Sequence, residues 1–176
     1  MIGDIFKHLG LLLLLVVIQI LVLDNINFGN SLAFLFQPQI VIMFVLLLPA
    51  NINHIWLIII AFFAGLLLDS LCNTYGINAA IFTLIGFLRF YFTADVENEI
   101  SGRDEDKKIW TSKKSKVWKW TYFLGFIVLY QFLFVLIDTL GKNFFTLGFW
   151  AIIVSSIVTF FLILILEDLL FKPSKS

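Results

Sequence analysis

Long apolar runs separated by short polar breaks dominate the chain. Six runs stand out, at positions 5–23, 33–48, 55–71, 77–92, 117–140 and 144–166. A helix needs about 20 residues to cross the hydrocarbon core of a bilayer, with about 17–25 as the usual range. The fifth and sixth runs meet this length, whereas the second and fourth are short and need interfacial residues or sheltering neighbours. The pattern predicts an all-α integral membrane protein, a six-transmembrane-helix bundle in a single membrane domain, 1–176.

Composition supports the same prediction. Hydrophobic residues make up 61% of the 176 residues and charged residues 14%, with a mean hydropathy of +1.01. An ordinary soluble domain is roughly 45–50% apolar and about 25% charged. The bilayer must therefore be the solvent for most side chains. The polar remainder is too small for an enzyme domain. The first run lacks a small-x-small cleavage pattern, so we interpret it as a retained span.

The charges predict how the bundle is oriented. Of 24 charged residues, 13 lie between Asp95 and Lys119, so we expect a charged cytoplasmic loop at 93–116. With six spans, both termini share one side with the second and fourth loops. That side then holds 11 of the 12 Lys and Arg residues, and only Lys142 lies opposite. Because cytoplasmic loops carry the excess of Lys and Arg, both termini are expected in the cytoplasm.

The third and fourth runs carry the densest pattern, a predicted helical hairpin. Small residues on one face of the third helix allow another helix to approach closely, and a glycine in the turn supplies a permissive backbone. The residues expected to form this packing or partner surface are Ala61, Gly65, Asp69, Gly76, Ala80 and Arg89. Arg89 lies roughly 18 Å along the fourth helix from its start at 1.5 Å per residue. It is therefore expected to snorkel at the cytoplasmic interface and not to pair with Asp69.

Three carboxylates are predicted to share the outer face, because Asp24, Asp69 and Asp138 end the first, third and fifth helices. A carboxylate at a helix C-terminus opposes the macrodipole, so local helix stability does not explain this placement. Two interpretations remain open. The three groups are either hydrated acids that the outer surface tolerates, or an acidic rim that meets a partner. Gln19 and Gln131 lie inside spans and are expected to form interhelical hydrogen bonds.

Basic residues and tryptophans alternate in the second half of the charged loop. The group comprises Trp110, Lys113, Lys114, Lys116, Trp118 and Trp120. Such a pattern beside a membrane is typical of an interfacial anchor on anionic lipid and not of nucleic-acid binding, although the loop is also a candidate docking site.

The sequence shows no catalytic, phosphate-binding or metal-ligand motif. The sequence contains no Ser/His/Asp grouping, no phosphate-binding Gly-rich loop and no metal-ligand spacing. Cys72 is the single cysteine, which excludes an intrachain disulfide. We therefore expect no catalytic residue, no metal and no cofactor.

The whole chain resembles the rod-shape-determining MreD family. The resemblance rests on the Leu-rich opening span, the Leu46-Leu-Leu-Pro49 ending and the order Ala61-Phe-Phe-Ala-Gly65-Leu-Leu-Leu-Asp69, Gly76-Ile-Asn-Ala-Ala80 and Phe87-Leu-Arg89, within six spans in about 170 residues. It implies a non-enzymatic membrane scaffold of the bacterial cell-elongation complex. Its partners would be an MreC-type single-span protein, the actin-like MreB filament and the peptidoglycan polymerase and transpeptidase. The charged loop is not a feature associated with that family.

The resemblance also implies a fold similar to the substrate-binding subunits of energy-coupling-factor vitamin transporters, which supplies an alternative function. Those subunits dock their energising partner through an Ala-x-x-x-Ala pattern on the first helix. Here the first helix reads Leu11-Leu-Leu-Leu-Leu-Val-Val-Ile-Gln-Ile and contains no Ala, which counts against transport. A membrane-embedded enzyme, the third class, lacks a candidate nucleophile or base. Co-purifying cell-wall factors or a co-purifying ATPase would separate the first two.

Overall fold

The computed structural model describes residues 2–23, 36–49, 52–100, 116–138 and 148–171, and within these ranges every regular element is helical. The helices are α1 (Ile2–Ile18), which continues as a π-helical stretch (Gln19–Leu23), α2 (Ile42–Leu47), α3 (His54–Cys72), α4 (Ile77–Ile100), α5 (Lys116–Asp138) and α6 (Phe149–Phe171). The all-α prediction is therefore confirmed for the described residues.

Within the described ranges, three helices are long and apolar enough to cross a bilayer, namely His54–Cys72, Val117–Asp138 and Phe149–Leu169. Two shorter apolar stretches, His8–Leu21 and Ile77–Thr93, accompany them. Large apolar side chains cover the outer faces of these helices as well as the inner ones. A helix that is apolar on all sides is typical of a membrane span. The described helices therefore belong to a helical membrane protein.

The second predicted span is not a continuous helix. Residues 36–41 lie outside any helix, and only the six residues of α2 follow before the chain reaches Pro49. Pro38 explains the break in part, because proline removes a backbone donor and disfavours helical geometry in the residue before it. Of the span predicted over 33–48, the described part is therefore helical only at Ile42–Leu47.

This interrupted segment, residues 36–48, nevertheless contains the most deeply buried stretch among the described residues. Residues 40–48 are between 0% and 4% exposed. They pack in one apolar core with Leu15 of α1, Phe82 of α4, Phe123 of α5 and Ile163 of α6. The neighbouring helices therefore shield the segment from lipid, which is the condition under which non-helical backbone is tolerated at membrane depth.

Helix bounds differ from the predicted spans at several ends. α4 continues to Ile100, eight residues beyond its predicted end, so the start of the predicted 93–116 loop is helical. α1 begins at Ile2 and α5 at Lys116. The predicted ends at 139–140 and 144–147 lie outside the described residues, as does most of the charged loop.

Candidate functional site

The α3–α4 hairpin is built on direct contact between backbones. A Cβ atom at Gly65 would lie 2.5 Å from Ala79 Cα and 2.6 Å from the Asn78 carbonyl oxygen, distances that no side chain can occupy. Ala61 lies one turn before Gly65 on α3, and a Cβ at Gly86 of α4 would lie 3.0 Å from the Ala61 Cβ. The predicted small-residue face of α3 is therefore confirmed.

Of the two alanines that open α4, only one meets Gly65. Ala79 is buried against Gly65, whereas Ala80 is exposed, so the prediction that Ala80 packs in the hairpin was wrong. Adjacent positions on a helix point about 100° apart, and the sequence alone did not distinguish the two alanines.

The turn between the two helices contains three residues in left-handed backbone geometry. Asn73 has φ 59°, Tyr75 has φ 51° and Gly76 has φ 88°. Asparagine tolerates this region and glycine adopts it at no steric cost. The predicted role of Gly76 as the permissive residue of the turn is confirmed.

Asp69 lies in the last turn of α3, but its carboxylate bonds to the first turn of α4. Its Oδ1 accepts hydrogen bonds from the Asn78 backbone N–H (3.0 Å), from Asn78 Nδ2 (3.0 Å) and from the Thr74 hydroxyl (2.5 Å), and its Oδ2 accepts one from the Ala79 backbone N–H (2.7 Å). The first backbone N–H groups of a helix have no partner within the helix and favour a negative charge. Asp69 thus stabilises the start of α4, which explains a carboxylate that is unfavourable for α3.

This geometry corrects the prediction of an exposed acidic rim. Asp69 is only 6% exposed, and both carboxylate oxygens are occupied by the hairpin itself. Asp138 is exposed at the end of α5, and Asp24 lies outside the described residues. Asp69 is therefore a structural group and is not presented to a partner.

A second polar group holds the interrupted segment in place. Gln19 donates from Nε2 to the Pro38 carbonyl (3.0 Å) and accepts from the Ile40 N–H at Oε1 (3.0 Å). Gln131 donates from Nε2 to the Gln37 carbonyl (3.0 Å). Both side chains thus bond to the non-helical backbone of residues 37–40, where the sequence predicted hydrogen bonds between helices.

The hydroxyls of α6 complete this arrangement. Ser155 Oγ accepts from the Gln37 N–H (3.0 Å), and Thr159 Oγ1 accepts from the Gln39 N–H (3.1 Å). Polar side chains from α1, α5 and α6 therefore replace the helical hydrogen bonds that residues 37–40 lack, as buried backbone requires.

One hydrogen-bonded chain connects this segment to the hairpin. Gln39 Nε2 donates to Asn78 Oδ1 (3.4 Å) and to the Tyr130 hydroxyl (3.2 Å), and that hydroxyl donates to Asn78 Oδ1. Asn78 in turn donates to Asp69. Sequence reasoning missed Gln39, Asn78 and Tyr130. Their only signal was a polar residue inside an apolar run.

Arg89 is buried and does not snorkel to the interface. It is 1% exposed, and its Nη2 donates to the Leu48 carbonyl and to the Pro49 carbonyl (3.4 Å). These carbonyls follow the last residue of α2, where a cation is favourable. The predicted separation of Arg89 from Asp69 holds, but the prediction that its side chain snorkels was wrong, because the guanidinium is buried and bonds within the bundle.

The described part of the interfacial anchor packs on the bundle. Trp118 stacks on Tyr122 at a centroid distance of 5.5 Å, and Trp120 meets Phe160 edge-on at 5.9 Å. Trp110, Lys113 and Lys114 lie outside the described residues, and of Lys116 only the backbone is described. Lipid anchoring stays a prediction.

An apolar groove of about 720 Å³ lies between α1, the interrupted segment and α3. Its lining includes Leu12 of α1, Phe44 and Leu48 of the segment, and Ile59 and Phe63 of α3. Phe63 is 60% exposed, so the groove is part of the outer, lipid-facing surface. We call this feature the α1–α3 groove.

Among the described side chains, no group of three or more His, Cys, Asp or Glu residues is placed to hold a metal ion. The candidate functional features of the described residues are the hairpin, the polar group around residues 37–40, Arg89 and the α1–α3 groove. Comparison of the chain with protein-family models, with curated proteins and with solved structures finds no match.

Proposed function

We propose that this protein is a non-enzymatic scaffold of a bacterial cell-elongation complex in the inner membrane. It would act with an MreC-type single-span protein, and together with it serve the actin-like filament and the peptidoglycan polymerase and transpeptidase. The sequence resemblance to the MreD family supports this proposal. The observation that carries it is the α1–α3 groove, whose shape and chemistry suit a transmembrane helix of a partner.

The groove is long and apolar. Along α3 its lining extends from Trp56 to Ser70, which is about 21 Å at 1.5 Å per residue. A helix of a single-span partner could therefore lie beside α3 for most of the hydrocarbon thickness. In lipid, such association depends on close packing of side chains, which a preformed groove provides.

The proposed topology has six crossings and cytoplasmic termini. The second crossing would be the interrupted segment, since Gln39 contacts Asn78 near the start of α4 and the Leu48 carbonyl contacts Arg89. Asn78 and Arg89 are roughly 16 Å apart along α4. The distribution of Lys and Arg supports the same topology.

Filling the groove is expected to weaken partner binding. Ile59 lines the groove, so Ile59→Trp would place a large ring where the partner helix packs. We expect the yield of a co-purified MreC-type protein, normalised to the level of the variant in the membrane, to fall roughly tenfold, which corresponds to about 1.4 kcal/mol.

The matched control is Leu124→Trp. Leu124 is an exposed apolar residue of α5 that does not line the groove, so the same enlargement there is expected to leave the yield unchanged. Equal yields for Ile59→Trp, Leu124→Trp and the parent would exclude the groove as the partner site.

The alternative function is that of a substrate-binding subunit of a vitamin-uptake transporter. The interrupted segment favours it, because discontinuous helices with polar side chains form many transporter sites. Against it, the polar side chains around residues 37–40 bond to the segment's own backbone. Co-purification of an ATPase with its membrane coupler would support transport, whereas cell-wall synthesis proteins would support the scaffold.

A further inference from the structure

Arg89 carries more hydrogen-bonding capacity than the bundle uses. It is the largest fully buried side chain among the described residues. Nη2 donates to the carbonyls after α2, but Nε and Nη1 are buried and have no hydrogen-bond partner. A guanidinium has five N–H donors, so three of them are unused.

An unused buried donor is costly, and a charged one more so. Leaving a buried polar group without a partner costs about 1–3 kcal/mol, and more when the group is charged. Two carbonyl oxygens satisfy some donors but do not neutralise the charge. Arg89 forms no ion pair with a described carboxylate, because Asp69 is bonded within the hairpin and Glu167 interacts with Lys119. No carboxylate with a described side chain therefore neutralises Arg89.

A second polar group lies beside it. The Tyr122 hydroxyl of α5 is buried next to the Arg89 guanidinium and interacts with it, but neither this hydroxyl nor Nε and Nη1 of Arg89 has a partner at full hydrogen-bonding geometry. The Tyr122 ring stacks on Trp118 and meets Phe126 edge-on at 5.0 Å. Three guanidinium donors and one phenol donor are therefore buried side by side.

The depth of this group indicates which anion is at hand. His54, the first residue of α3, packs on Phe90 at a centroid distance of 4.4 Å, so Arg89 lies level with the beginning of α3. Tyr122 is in the second turn of α5. Helices begin near the edge of the hydrocarbon core, where the phosphate groups of lipids are found and where tryptophan and tyrosine rings are enriched.

We propose that Arg89 and Tyr122 form a binding site for the phosphate of a membrane phospholipid, in the leaflet where α3 and α5 begin. The Nε and Nη1 groups of Arg89 and the Tyr122 hydroxyl would donate to phosphate oxygens, which are preferred acceptors of guanidinium hydrogen bonds. Because these donors are buried, neighbouring side chains must move for the phosphate to enter. The proposal does not depend on the proposed scaffold function.

The test measures the melting temperature of the full chain, purified in a maltoside detergent, with three additions. These are no addition, inorganic phosphate, and phosphatidylglycerol. For the parent we expect phosphatidylglycerol to raise Tm by about 2–4 °C, the shift typical of about 1 kcal/mol of ligand stabilisation. Inorganic phosphate should act less strongly, because it lacks the acyl chains. An equal response to both would assign the site to free phosphate and overturn the lipid proposal.

The variants are Arg89→Gln and Tyr122→Phe, with Lys119→Gln as the control for charge at the same end of the bundle. We expect the phosphatidylglycerol response to be absent in Arg89→Gln, reduced in Tyr122→Phe and unchanged in Lys119→Gln. If Arg89→Gln fails to fold, Tyr122→Phe still decides, together with native mass spectrometry of retained phospholipid. Equal responses in the parent and Tyr122→Phe, with equal retained lipid, would leave Arg89 as only a cap for α2.

Discussion

Replacing Gly65 with alanine is expected to destabilise the bundle strongly, although only one methyl group is added. The new Cβ would lie 2.5 Å from Ala79 Cα, and backbone atoms of a packed hairpin cannot move aside as a flexible side chain can. Overpacking typically costs about 1–3 kcal/mol, and we expect the upper end of this range. The measurement is the Tm of the purified variant or its unfolding in denaturing detergent.

Gly125→Ala provides the matched control. A Cβ at Gly125 in α5 would meet nothing within 4 Å, so the same substitution there adds no overlap. Because alanine favours a helix by about 1 kcal/mol over glycine, this variant should be as stable as the parent or slightly more stable. Similar Tm values for Gly65→Ala and Gly125→Ala would show that α3 and α4 are not in backbone contact.

The second large effect is expected from Asp69→Asn, which preserves shape and removes an acceptor. The carboxylate accepts four hydrogen bonds, and Oδ2 accepts the one from the Ala79 N–H. An amide would either present its NH₂ group to the Ala79 N–H or, when turned over, present it to the Thr74 and Asn78 groups that donate to Oδ1. A buried group left without a partner costs about 1–3 kcal/mol, and more when a charge-assisted bond is lost. We therefore expect a loss of at least about 2 kcal/mol.

Asp138→Asn is the control for this variant, because Asp138 also ends a helix but is exposed. Its substitution is expected to change stability by less than about 0.5 kcal/mol, as is usual at the surface. If Asp69→Asn were as stable as Asp138→Asn, the carboxylate would not be holding the start of α4.

The hairpin was largely predictable from the sequence because its signals are local. Gly65 and Ala61 lie one turn apart on α3, and Gly76 occupies a turn that needs positive φ. The role of Asp69 was not predictable in the same way, because its strongest donors belong to the next helix. The turn between them, with Asn73 in left-handed geometry, decides that Asn78 and Ala79 reach the carboxylate.

The interrupted segment and Arg89 were mispredicted for a shared reason. The apolar run 33–48 matches a helix in composition, and only Pro38 argues otherwise. Non-helical backbone at this depth is stable only because Gln19, Gln131 and Thr159 from other helices supply hydrogen bonds. The Leu48 carbonyl is available to accept a hydrogen bond from Arg89 because α2 ends at Leu47. Contacts between distant segments have no signature in local periodicity.

The central claim is that the α1–α3 groove receives the transmembrane helix of a single-span partner. The most direct measurement places a photo-crosslinking amino acid at Phe63, in the groove, or at Phe161 on α6, followed by irradiation of native membranes. The two positions are 60% and 59% exposed, so they differ in location and not in accessibility. The account predicts a crosslink from Phe63, and none from Phe161, to an MreC-type single-span protein. A crosslink from Phe63 to this chain itself, to lipid alone or to an ATPase coupler, or the same product from both positions, would contradict it.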